Sequence, residues 1–152
     1  MTLVTEEISQ AIKTLSLKDS EFKRLPDSEA KTLYYELLET FVEGNDRRWW
    51  WEAFKDKTES IIFEDNKGFE RILSFVPNPK EKVWFVAEED QLSFYPIYEA
   101  TPENIVKVIG ECFAFEYYVI PKSKEWLLCE NHHNTVIGSG DIIVKNMQSK
   151  SA

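Results

Sequence analysis

The stretch EWLLCENHHNTVI, residues 125–137, decides how the fold is read. Two apolar runs, 125–130 and 135–137, flank the polar quartet Asn131, His132, His133 and Asn134. A connection this short can only turn the chain back on itself, so the pair is expected to be an antiparallel hairpin with both histidines at its tip. Upstream, 113–120 is a further apolar run, separated from the hairpin by Lys122, Ser123 and Lys124, and it extends the antiparallel pattern by one strand. Residues 83–87 and 93–98 read as two more strands, with 61–63 as a short one and 141–144 as a last one.

Helices precede and interrupt these strands. Ile8, Ala11, Ile12 and Leu15 recur on one helical face after Thr5, which can serve as the cap. Pro26 and Asp27 introduce a second helix with Ala30, Leu33, Tyr34, Leu37, Leu38 and Phe41 on its apolar side, stopped by Gly44. Residues 18–24 read as a polar connection. Thr101, Pro102 and Glu103 place a cap, a first-turn proline and a first-turn acid before Ile105, Val106, Ile109 and Cys112, giving a late helix over about 102–112. Residues 47–57 suit a short helix or a strand, because Trp49, Trp50 and Trp51 fit either. Helices followed by a mainly antiparallel sheet with one late helix make an α+β fold. No linker composition divides the chain, so residues 1–146 are expected to be one domain and 147–152 a polar, fraying tail.

Composition narrows the function classes. The 152 residues are 43% hydrophobic and 30% charged, which suits a folded globular chain and neither a disordered nor a membrane one. No apolar run is long enough to span a bilayer, and residues 1–7 lack the basic start and apolar block of a secretory signal, so a cytoplasmic location is expected. Cys112 and Cys129 are too few for a disulfide framework and read as reduced core residues. A net charge of −9 repels a phosphate backbone and attracts a basic protein. Nucleic acid is therefore not an expected partner, even with Arg47 and Arg48 next to Trp49.

Several groups of residues suit chemistry or binding. Cys129, His132 and His133 do not make a metal site: along a strand Cys129 and His133 lie roughly 13 Å apart, and the two histidines are neighbours pointing apart. No metal and no cofactor is implied. A hydrolase could draw on His132 or His133 as base with Asp141, Glu130 or Glu116 as orienter, but no nucleophile motif accompanies them. Glu88, Glu89 and Asp90 read as a solvated turn that can serve as an acidic contact patch. If residues 47–57 are helical, Trp50, Trp51 and Phe54 share one side and Trp49 points away from it, and an exposed tryptophan beside Arg48 has the composition of an interface hot spot.

With Trp49, Trp50, Trp51 and Glu52 early and residues 126–134 late, the chain resembles small bacterial proteins, and in size, acidity and helix-then-sheet order it is similar to immunity proteins of bacterial polymorphic toxin systems. The resemblance carries over no individual site residue. It implies an antitoxin-like inhibitor that binds a basic toxin. The expected contact residues are Trp49, Arg48, Glu88, Glu89, Asp90, His132 and His133, and the alternative is a small enzyme working through the His132/His133 loop.

Overall fold

The computed structural model describes residues 3–44 and 49–151, the side chains of 150 and 151 excepted. Its centre is one seven-stranded sheet in the order β1-β4-β3-β5-β6-β7-β2, built from β1 (Phe22–Arg24), β2 (Thr58–Ile62), β3 (Val83–Ala87), β4 (Ile97–Ala100), β5 (Tyr117–Pro121), β6 (Leu127–Glu130) and β7 (Thr135–Ser139). Every neighbouring pair is antiparallel. The fold is therefore α+β, and the hairpin read from residues 125–137 is present, with Glu130 opposite Val136 and Cys129 opposite Ile137.

Alternation along the strands sorts side chains onto two faces. Phe85, Tyr117, Val119, Leu128 and Val136 point to one, where Ile8 and Ala11 of α1 (Val4–Thr14), Ile72 and Phe75 of α3 (Gly68–Phe75), Ile105 and Val108 of α4 (Pro102–Ile109), and Ile143 and Met147 of α5 (Asp141–Ser151) cover them. Val86, Tyr118, Ile120, Leu127 and Cys129 point to the other, beneath Tyr34, Leu37, Leu38 and Phe41 of α2 (Asp27–Phe41) and the ring of Trp50. The central strands of the sheet are thus buried on both sides. Cys112 packs against the first core and Cys129 lies within the second, so the sheet separates the two free thiols.

Local chemistry explains the helix that the sequence located best. Thr101 Oγ1 accepts the Asn104 N–H at 3.3 Å, Pro102 follows, and Ile105, Val108 and Ile109 are buried. Elsewhere the structure departs from expectation for identifiable reasons. Thr5 lies inside α1, whose first N–H, that of Val4, is received at 2.7 Å by Glu89 Oε1, 85 residues away. The helix α2 ends at Phe41, before Gly44, because Val42 pairs with Phe54 across an isolated bridge. Residues 18–24 contain β1, whose single buried side chain, Phe22, packs its ring on Phe85 and Tyr98. The strand read at 93–98 is displaced to Ile97–Ala100, and the late helix stops at Ile109. α3 is an additional helix over residues that carry only an eight-residue signal.

The largest correction is at the C-terminus. Residues 141–144 are the start of α5, which runs through the segment expected to fray. Gly140, at φ +105°, turns the chain out of β7, and Ile143, Val144 and Met147 then recur at helical spacing and are buried. Met147 rests on Gly138, where an added Cβ would stand 2.5 Å from its Sδ. The β-branched run Ile142, Ile143, Val144 favours a strand locally, and packing onto the sheet outweighs it.

Among the described residues, no helix is long and apolar enough to cross a membrane.

Candidate functional site

At the end of the sheet where β5 begins and β6 ends, four separate segments converge. The first is the short 3₁₀ turn Trp50–Glu52. Trp50 anchors it: the residue is 0% exposed, its ring stacks on Tyr118 at 4.6 Å and on Tyr95 at 6.0 Å, and its backbone N–H donates to the Tyr118 hydroxyl at 3.2 Å. Glu43 N–H donates to Ala53 O at 2.7 Å and Lys55 N–H to Phe41 O at 2.9 Å, tying the turn to the end of α2. With Trp50 held inward, its neighbours are turned to the side, and their rings meet 6.2 Å apart.

The second segment is the hairpin tip. Asn131 Oδ1 accepts the N–H groups of His133 at 2.9 Å and Thr135 at 3.2 Å, an Asx turn that fixes the loop. Asn134 closes it in the left-handed region, at φ +59°. This holds the two imidazoles 4.0 Å apart, with His132 against Trp49 at 5.5 Å and Trp51 at 5.9 Å, and His133 edge-on to Trp51 at 5.8 Å. Trp49 remains 36% exposed, so the rings form a shelf open to solvent.

Beneath the shelf lie carboxyl groups from the third and fourth segments, the end of β3 and the entry to β5. Glu116 is only 6% exposed, and its Oε2 receives the His132 backbone N–H and pairs with His132 Nδ1, both at 2.7 Å. Glu88 reaches it from the neighbouring strand, where the Glu88 N–H donates to Glu116 O at 3.0 Å. Burial, the hydrogen bond to Glu116 and the adjacent charges of Glu116 and Asp90 push the Glu88 carboxyl up to about 9. Burial works to raise Glu116 as well, but hydrogen bonds from Glu88 and from the His132 backbone and ring outweigh it and hold Glu116 below the ordinary carboxylate value. Glu88 Oε2 and Glu116 Oε1 are both buried without a hydrogen-bond partner. A proton resident on Glu88 and directed at Glu116 would satisfy these oxygens and leave a single negative charge on the pair.

Of the residues expected to make contacts, the structure brings Trp49, His132, His133 and Glu88 to one place, with Asp90 near enough to act on Glu88. Glu89 does not belong there. It is 7% exposed, and its two oxygens accept from Val4 N at 2.7 Å and Gln91 N at 3.3 Å, so the acidic turn is not one solvated patch. Continuing the alternation of β3 past Ala87, Glu89 falls on the four-helix side, where α1 begins, and Glu88 on the other. Arg48 lies outside the described residues.

Among the three orienters considered for a histidine base, only Glu116 meets one. Glu130 faces the four-helix side and receives the Tyr117 hydroxyl at 2.9 Å, while Asp141 starts α5 at the opposite end of β7. Tyr118 is a part of the site that the sequence did not single out, and Trp51 is one that it set beside Trp50 and Phe54 rather than among the contact residues. Both look like core aromatics in one dimension, and only the pairing of residues about 70 to 80 apart gives them a role.

Chemically, indole and imidazole rings beside a buried anionic carboxyl suit a guanidinium or ammonium group, which gains from the ring quadrupole and from charge-assisted hydrogen bonds together. The pairing of a carboxylate with His132 Nδ1 is also how a base is oriented. The family model described as a family of unknown function (DUF6756) matches residues 1–151, and the chain belongs to that family. No curated protein and no solved structure shows significant similarity to it.

Proposed function

For this member of the family we propose a non-enzymatic role: an acidic protein-binding domain that neutralises a basic protein partner, in the manner of bacterial immunity proteins acting on toxins in the cytoplasm. The observation that carries this reading is the open aromatic shelf of Trp49, Trp51, His132 and His133 set directly over the Glu116–Glu88 pair. A rigid aromatic anchor beside buried acid is the arrangement through which a few residues supply most of an interface's free energy. The net charge of −9 adds long-range attraction for a basic surface.

The test is a low-salt pull-down with the whole protein, followed by binding kinetics on any basic protein recovered. Removing the Trp49 ring should speed dissociation about 30-fold, equivalent to about 2 kcal/mol. Neutralising Asp90 should mainly slow association and flatten its salt dependence.

A second reading is favoured by one contact, the 2.7 Å pairing of Glu116 Oε2 with His132 Nδ1. An enzyme using His132 as general base would have this orienter. Absence of any basic partner, together with turnover of an ester or amide substrate that His132→Ala abolishes, would replace the binding role with this one.

A further inference from the structure

On the opposite side of the hairpin tip from Trp50, between α3, α4 and the first residues of β5, lies a cavity of about 400 Å³. That is within the range of about 300–1,000 Å³ typical of small-molecule sites. Phe69, Ile109 and Phe115 supply apolar wall, and the polar lining comes from Glu130, Tyr117, Asn131, His132, Asn66 and Asn134. We propose that this cavity binds a small organic cation, a primary amine carried on a flat apolar body, with Glu130 receiving the ammonium group.

Four observations converge on that chemistry. The Glu130 carboxyl lies in the cavity wall with one oxygen, Oε1, bonded to Tyr117 at 2.9 Å. Its other oxygen, Oε2, lies against Gly68, where an added methyl would stand 2.6 Å away, so a glycine at the start of α3 leaves the room it occupies. Burial raises this carboxyl and the Tyr117 bond only partly opposes it, which means that the charge is under-solvated and would gain from a charged donor. The lining residues include no lysine or arginine to act as that donor, and the His132 ring among them is paired through Nδ1 with Glu116.

The wider field has the same sign. Burial and the charges of Glu7 and Glu111 push the Cys112 thiol, at the cavity's edge, up to about 11, so it stays neutral and is no nucleophile at physiological pH. The site is suited to reversible binding. Phe69 and Phe115 offer apolar ring surface to a flat body, and an anionic ligand would meet Glu130 with only the His132 imidazole among the lining side chains to offset the repulsion.

This site shares His132 with the partner-binding shelf, and its test separates the two through residues that belong to one of them alone. Tryptamine and phenethylamine are titrated into the isotope-labelled protein, with indole-3-propionate as the matched carboxylate, and backbone amide shifts are followed by NMR. At least one amine is expected to saturate in the millimolar range or tighter, with shifts centred on Phe69, Phe115 and Glu130, and to bind at least about tenfold more tightly than the carboxylate. Glu130→Gln keeps an acceptor for Tyr117 and should weaken the amine about tenfold. Ala114→Trp, an exposed position at the cavity, should block binding by either ligand while leaving the spectrum elsewhere intact. Equal binding of amine and carboxylate, shifts confined to Trp49 and Trp51, or no saturable shift with either amine would overturn the proposal.

Discussion

Replacing Glu88 by glutamine should make the protein more stable at high pH while changing little at low pH. The wild-type carboxyl keeps its proton in the fold up to about 9, whereas an unfolded chain releases it near 4.5. Across that window the native state binds more protons than the unfolded one, so stability falls as pH rises. A full proton of difference gives roughly 1.4 kcal/mol per pH unit. Glu88 is partly reached by water, and screening reduces the integrated effect between pH 5 and 9 to about 2 kcal/mol. Glu116 works in the other direction, but only below its ordinary value, where the pH is low enough to protonate it. Glutamine places an N–H donor where the protonated oxygen stands and keeps the bond to Glu116 without a titratable group. Thermal unfolding of the two proteins at pH 5, 7 and 9 should therefore start within about 0.5 kcal/mol of each other and diverge, with the variant melting about 5 °C higher at pH 9. Parallel curves, or a variant less stable at pH 9, would show that the two carboxyls do not share a proton.

Other outcomes follow from single contacts. Glu89→Ala removes the acceptor for the first N–H of α1 and should cost about 1–2 kcal/mol in denaturant unfolding; a loss below about 0.5 kcal/mol would return Glu89 to the solvated turn. Met147→Ala should cost about 2–4 kcal/mol, whereas a frayed tail would register almost nothing. Asn131→Ala removes the acceptor for His133 and Thr135 and should loosen the hairpin tip, seen as loss of hydrogen-exchange protection at those two amides with β5 protected as before.

What the sequence by itself determined is set by local chemistry. The spacing of a four-residue polar connection in 125–137 requires an antiparallel return, and the cap, proline and acid at Thr101, Pro102 and Glu103 specify a helix before any packing is considered. It also identified Trp49, Glu88, His132 and His133 as residues of interest by type. Their convergence was decided by tertiary structure alone. Neighbouring strands bring Glu88 beside Glu116, and Trp50 stacks on Tyr118 across 68 positions of sequence, which delivers Trp49 and Trp51 to the histidines. The same long-range packing turned residues 141–151 from an expected strand and tail into a helix, and took Glu89 from its acidic neighbours to the start of α1. Propensity and periodicity act over a few residues, whereas a sheet joins segments whose separation no local pattern records, and the energy of burying Met147 or satisfying Val4 exists only once that sheet has formed.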